Sequence, residues 1–501
     1  MTNHAPLEIP AKPFARRFFR ATPVRLLLLV LLFISAAWYE AAHAYSLFDD
    51  NIWVHLSSGL WILQNHSVPH TGIFSQHPDL PWVVAGWGFD LLVALAYKLL
   101  GLRGIPVLVM CFKVILAFLT FRIVRGAHQY FWRAVLLSAA CQYVLLNMLP
   151  SSALFSVVLL GIELMLLSQS RSSGNVQSLY CLPVLFVFWA NLDIGFVYGL
   201  LVLALFFIAE FISQKSGTTW FKMGSNPLPL EMLGIITGLS LVASFLSPYS
   251  YRPFEQLLEP VYGPVSFASF EALHSMNFRQ PQHYVLLLLI MAAFLTLGRQ
   301  HSRDVFKLGA MLICTAMAFH RQQDIWLVAL LSLFVLADAG YPSSSTEAQK
   351  NRCSWKWEHA AAAGVTFILL VVAIIQIPSG NEVLLDRVGK IFPVQACKFI
   401  RDNHLSGPLF NAYSWGGFLT WYMPDYPVAI DGRNDLYGAE LNELYFKVTK
   451  GIQPLNTDAD FTGAGTLLLE RHSPMGEAVD RMSGYNVIYR DDLAIVLERQ
   501  R

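Results

Sequence analysis

The sequence predicts a polytopic α-helical membrane protein of about 11 spans that ends in a small α/β domain on the outer face. Three observations predict it. Hydrophobic residues make up 55% of the 501-residue chain and charged residues only 14%, against about 25% charged in ordinary soluble domains. Eleven apolar runs approach the roughly 20 residues that carry a helix across a bilayer. The last stretch, 378–501, loses that character and alternates short apolar runs with turns. So much apolar surface excludes both a disordered chain and a single soluble domain. The net charge of +1, from 35 basic and 34 acidic residues, lacks the basic excess of a nucleic-acid binder. The six cysteines form no C-x-x-C pair. They read as small core residues, not as a disulfide framework or a zinc site.

The first span, 26–44, follows Lys12, Arg16, Arg17, Arg20 and Arg25, which places the N-terminus in the cytoplasm. Ala42-His43-Ala44 looks like a signal-peptidase site, but ten further runs favour an uncleaved helix. Those runs are 104–124, 134–149, 151–169, 179–192, 194–213, 230–247, 284–298, 305–319, 325–339 and 360–377. Residues 82–100 are the ambiguous stretch. If they do not cross, seventeen Lys and Arg face inside and five outside; if they cross, twelve of the seventeen move outside. The positive-inside rule chooses the first arrangement. Pro81, Gly86, Gly88 and Asp90 agree with it, because a carboxylate at mid-bilayer is expensive. Residues 82–100 therefore read as an amphipathic helix in the outer interface.

The chain then divides into a membrane domain, 1–377, whose outer loop 45–103 carries that interfacial helix, and an outer domain, 378–501. In the outer domain PVAIDGR, GTLLLE, YNVIYRDD and LAIVLER read as strands, and 394–403 and 436–449 as helices. Residues 341–359, with Ser343, Ser344 and Ser345 in a row, read as a polar cytoplasmic linker.

The chemistry concentrates in the first outer loop. Asp49 and Asp50 follow the first span at the membrane–water boundary, and Trp53, Trp61, Trp82 and Trp87 can anchor the loop in the interface. A plain alternative is an acidic helix N-cap followed by an amphipathic anchor. His55, His66, His70 and His77 share the loop, but their spacing, interrupted by Pro69, does not suit a zinc site. The five outside cations, Lys98, Arg103, Arg252, Arg279 and Arg321, are not explained by topology. They are candidates for an anionic ligand, or bind lipid headgroups and cap helices instead. Arg321 stands out in the polar cluster His320-Arg321-Gln322-Gln323-Asp324 between two spans. Asp193 ends the run Trp189-Ala190-Asn191-Leu192, at a depth where an ionisable group is read as functional. The loop 248–283 carries Tyr262, Glu271, His274 and Arg279 and could close over a substrate. In the outer domain Asp431-Gly432-Arg433 ends an expected strand. It reads as a structural ion pair or as an acceptor-binding strand end.

The order of the loop residues resembles a family. An aspartate after the first span, then Trp53-x-His55-Leu56-x-x-Gly59-x-x-Ile62, then Pro69-His70-Thr71, Phe74-Ser75 and Pro81-Trp82, is similar to the multi-span GT-C glycosyltransferases. The nearest likeness is the bacterial branch around the aminoarabinose and lipopolysaccharide-core transferases; protein O-mannosyltransferases are more distant. The resemblance implies a cytoplasmic N-terminus, a catalytic aspartate in the first outer loop, and an outer C-terminal domain. It implies sugar transfer from a polyprenyl-phosphate-linked donor to a lipid, glycan or protein acceptor at the outer face of the cytoplasmic membrane. Asp49 matches the family's first acid and is the base, with Asp50 as the fallback. Lys98, Arg103, Arg252, Arg279 and Arg321 are the donor-phosphate candidates. Trp53, His55, Asp193, Asp431 and Arg433 are the substrate-contact candidates. The related pattern reads D-P-D before W-W-H-L, and a divalent cation, Mg or Mn, would bridge its two acids. Here Asn51 takes the second place, so no metal is assigned. Relatives also read W-A-N-x-H-G-G where this chain has Asp193-Ile194-Gly195. Two other classes compete, a lipid or sugar transporter and a non-enzymatic membrane assembly factor. No internal repeat supports the transporter, and the altered D-x-D keeps the assembly factor open.

Overall fold

The computed structural model describes residues 22–127, 131–146, 148, 150–215, 227–256, 275–299, 304–337, 357–378, 380–478 and 484–500. The N-terminal basic residues other than Arg25, the linker serines, and Tyr262, Glu271 and His274 lie outside them.

Helix α1 (Thr22–His43) leads through a turn at Tyr45–Phe48 into α2 (Asp50–Asn65). After an irregular loop come α3 (Trp87–Leu100) and α4 (Gly104–Ala127), then α5 (Phe131–Val144), α6 (Ala153–Ser173), α7 (Leu182–Leu192) and α8 (Phe196–Lys215). Then follow α9 (Leu230–Ser244), α10 (Pro281–Arg299), α11 (Val305–His320), α12 (Ile325–Ala337) and α13 (Trp357–Gln376). Each of the eleven apolar runs is therefore a helix. Among the described residues, four helical stretches are long and apolar enough to cross a membrane, or up to six if two bent pairs each count as one span. Several others are shorter apolar helices of 10–17 residues, below the roughly 20 that a straight crossing needs. Large apolar side chains stay exposed around the bundle, among them Phe188, Leu288, Phe367 and Ile375, each more than 60% exposed. Exposed apolar side chains in such number fit a lipid-facing surface.

The longest stretch, Trp87–Arg125, has 39 residues, about twice a span. It is divided at Gly101, whose φ of +65° is open to glycine at little cost. Beyond the break, a Cβ on Gly104 would lie 2.1 Å from the Ala96 carbonyl oxygen. Eight residues of straight helix would separate them by about 12 Å, so α3 folds back on α4 and is a separate helix. It packs closely on α2, where a Cβ on Gly59 would meet the Asp90 carbonyl oxygen at 2.0 Å.

The C-terminal domain, called the outer domain for the side the sequence assigns to it, opens with α14 (Asn381–Val388) and α15 (Val394–Asp402), then β1 (Leu409–Asn411), α16 (Gly416–Tyr422) and α17 (Asn434–Thr449). It closes with α18 (Ala459–Gly463), β2 (Thr466–Glu470), α19 (Pro474–Glu477), β3 (Tyr485–Arg490) and β4 (Ala494–Arg499). The four strands form one sheet in the order β1-β2-β4-β3, with β1 parallel to β2 and the other pairs antiparallel. PVAIDGR is not one of its strands. Val428 makes single bridges to Leu409 and Ser75, and its N–H donates to the Phe74 carbonyl at 2.9 Å. The segment divides its backbone groups between the loop after α2 and the side chain of Asn411 on β1, which accepts from Ala429 N–H and donates to the Ile430 carbonyl. One hydrophobic core is internal to the membrane bundle. A second joins α1, α2 and α3 to α14–α16, and a third joins Trp82, Val84 and Tyr249 to the sheet. The outer domain is thus seated on the first outer loop by apolar packing.

Candidate functional site

Asp49 sits just before α2 in extended backbone, with φ −88° and ψ 126°. One carboxylate oxygen accepts from the Asn51 N–H at 3.0 Å, closing the helix N-terminus. The other, Oδ2, is buried and has no hydrogen-bond partner. Burial raises its carboxyl above the ordinary range, while the Asn51 amide and the nearby His55 pull it down.

Asp50 points the other way. Both its oxygens accept from the outer domain, from Gly417 N–H and Phe418 N–H at 3.0 Å each. Burial pushes its carboxyl well up, against the pull of those two amides. Trp53, fully buried, stacks on Trp421 with ring centroids 4.7 Å apart and meets Phe418 edge-on at 5.3 Å. The structure places Trp53 in the domain junction.

Asp49 and Asp50 lie on one wall of a cleft of about 680 Å³, with Tyr45 and Phe48 beside them. The opposite wall is the outer domain, with Lys390, Phe392, Ser414, Trp415, Glu470, His472 and Asp492. Ser414 follows β1, and Glu470 and His472 end and follow β2. These are the carboxyl ends of the sheet's one parallel pair, where α/β sheets place ligand groups. Sequence reasoning missed all of these outer-domain residues. GTLLLE was legible as a strand, and the strand-end rule applied to it points at Glu470 and His472.

A second polar group lies on the opposite side of α2. His55 Nδ1 is 2.7 Å from Asp90 Oδ1, and Asp90 is buried on α3. Burial lowers the imidazole, but Asp90, with help from Asp49 and Asp193, carries it above its ordinary value. Asp193 is bound by the hydroxyls of Ser152 and Ser156 and by Gly195 N–H at 2.9 Å. Tyr198 donates to Asp324 at 2.9 Å and lies within electrostatic reach of Asp193 and Arg321. Arg321 Nε is 3.9 Å from Asp324. The structure therefore pairs His55 with Asp90, holds Asp193 with Ser152, Ser156 and Gly195, and sets Arg321 and Tyr198 on Asp324.

The other candidates stand apart from the cleft lining. Lys98, Arg252 and Arg279 are exposed, and Arg103 is half-buried. Arg433 grips Asp431 with Nε at 2.9 and 3.0 Å and Nη2 at 2.6 Å, and also binds the Ile73 carbonyl at 2.6 Å. Asp431 is wholly buried, Tyr437 donates to it at 3.2 Å, and Trp82 covers the guanidinium at 4.6 Å. The pair ties the outer domain to the loop. His77 binds Asp460 at 2.8 Å and His70 packs on Tyr249. Among the described residues, no three His, Cys, Asp or Glu side chains are grouped to hold a metal ion.

No protein-family model and no curated protein matches the chain. Among solved structures it is similar to ArnT from Cupriavidus metallidurans in the apo state, at 11% identity and a TM-score of 0.47, covering 95% of this chain and 98% of that one. It is also similar to ArnT from the same organism bound to undecaprenyl phosphate, at 11% identity, a TM-score of 0.45 and the same coverage.

Proposed function

We propose that the protein is a GT-C-type glycosyltransferase that moves a sugar from a polyprenyl-phosphate-linked donor to an acceptor at the outer face of the cytoplasmic membrane. In this reading the N-terminus is cytoplasmic and the domain 378–501 lies outside. The undecaprenyl phosphate in one of the ArnT structures is of the donor's lipid class. The observation that carries the reading is the Asp49 carboxylate: its Oδ2 is buried without a partner, and the residue lines the large cleft between loop and outer domain.

The chemistry is one displacement. The acceptor oxygen forms a bond to the anomeric carbon as its proton passes to Asp49 Oδ2. The bond from that carbon to the phosphate oxygen breaks, and the polyprenyl phosphate leaves with the electron pair. Attack opposite the leaving group inverts the anomeric centre. In this reading Arg321, whose carboxylate neighbour is Asp324, is the cation that stabilises the departing phosphate. The test is mass spectrometry of lipid-linked sugars and envelope glycans from cells with and without the gene. The reading expects one sugar–polyprenyl phosphate to accumulate and one glycan to lose a residue when the gene is removed. Identical profiles would refute it.

A further inference from the structure

The cleft beside Asp49 has a chemical bias that bears on the acceptor, and the inference below rests on the transferase reading for the role of what binds there. Its lining is rich in groups that only accept hydrogen bonds. Asp49, Asp50, Glu470 and Asp492 face it, against Lys390 and His472. Some of that charge is met locally. Asp50 is held by two amides, Glu470 accepts from Ser414, and Asp492 lies 3.2 Å from Arg471. What remains unengaged includes the buried Asp49 Oδ2. A phosphate offers only acceptors and needs an excess of cations, which this lining does not have. A sugar hydroxyl offers an O–H donor to every carboxylate and still accepts from Lys390 or His472. Tyr45, 42% exposed, adds a ring face on which a sugar can rest.

We infer that this cleft is the acceptor site and that it takes a phosphate-free saccharide, recognised by Glu470, Asp492 and His472 on the outer domain while Asp49 receives the proton of the reacting hydroxyl. The five outer-loop cations play no part in holding it.

The test is binding by the full-length protein in nanodiscs to an array of phosphate-free oligosaccharides, each paired with its phosphomonoester. The inference expects some phosphate-free members to bind, with their phosphomonoesters bound about tenfold or more weakly. Glu470→Gln should weaken the phosphate-free ligands and narrow the discrimination. Asp492→Asn, at a fully exposed position, should narrow it with an unchanged unfolding midpoint. Preference for the phosphomonoesters, no phosphate-free ligand bound, or indifference to both substitutions overturns the inference. The same preparation is assayed for polyprenyl phosphate released from sugar donors, with and without the glycans. Release without any glycan binding overturns the acceptor site alone. Glycan binding without release under any condition upholds the saccharide site and overturns the transferase reading.

Discussion

Asp50 holds Gly417 from 367 residues away: its Oδ2 accepts the Gly417 N–H at 3.0 Å, and its Oδ1 accepts the next amide, of Phe418, at the same distance. The contact leaves no room for a side chain, because a Cβ on Gly417 would sit 2.3 Å from the Asp50 carbonyl oxygen. The two neighbouring acids thus divide their work. Asp50 docks the outer domain through the free amides at the start of α16, where a negative charge is favoured, and Asp49 lines the cleft with one buried oxygen left without a hydrogen-bond partner.

Asp50→Ala should therefore loosen the seat of the outer domain. Two amides lose their acceptor, at a cost of about 2–6 kcal/mol. Thermal unfolding of the detergent-solubilised protein should show an earlier transition, with Asp50→Asn between the two. An unchanged midpoint would contradict the docking role.

The Asp431–Arg433 pair should behave as a buried ion pair. Removing either partner strands the other charge, at about 3–5 kcal/mol. Asp431→Ala and Arg433→Ala should each destabilise the outer domain, and the double substitution should cost less than the sum of the two. Limited proteolysis checks this. Additive losses would mean that the two side chains act separately.

The His55–Asp90 contact predicts a pH dependence. The imidazole is raised above its ordinary value of 6.5 by Asp90, against the opposing effect of burial. A group raised on folding contributes stability that is fully present below its unfolded value and lost as the pH climbs through the folded one. The stability difference between the native chain and His55→Gln should be largest near pH 6 and shrink toward pH 9. A difference that grows over this range would show that His55 is held neutral.

The helices were legible because an apolar run of span-like length has few other uses, and all eleven runs are helices. The interfacial reading of 82–100 drew on Pro81, Gly86, Gly88 and Asp90. The structure adds the break at Gly101 and gives Asp90 a partner in His55, thirty-five residues away. The motif singled out Asp49, and the structure gives it an unpartnered oxygen and a place on the cleft wall. The docking role of Asp50 was not, since its partners are backbone amides of a helix that no local pattern connects to the loop. The same holds for the far wall of the cleft. Lys390, Ser414 and His472 are ordinary surface residues in sequence, and the parallel pairing of β1 with β2 brings the last two together opposite Asp49. PVAIDGR has strand composition, yet its backbone hydrogen bonds go to Phe74, Gln76 and the Asn411 side chain, a long-range choice that period-2 patterning does not contain.

The central claim is that Asp49 is the base. It is tested by the release of polyprenyl phosphate from a sugar donor by purified protein, native against Asp49→Asn, with unfolding midpoints matched. Loss of a general base predicts a drop of about 10²- to 10⁴-fold. In the native protein, turnover should rise with pH through a value above the ordinary 3.8 of an aspartate, because burial raises this carboxyl. Asp49→Asn protein that turns over at the native rate would contradict the account.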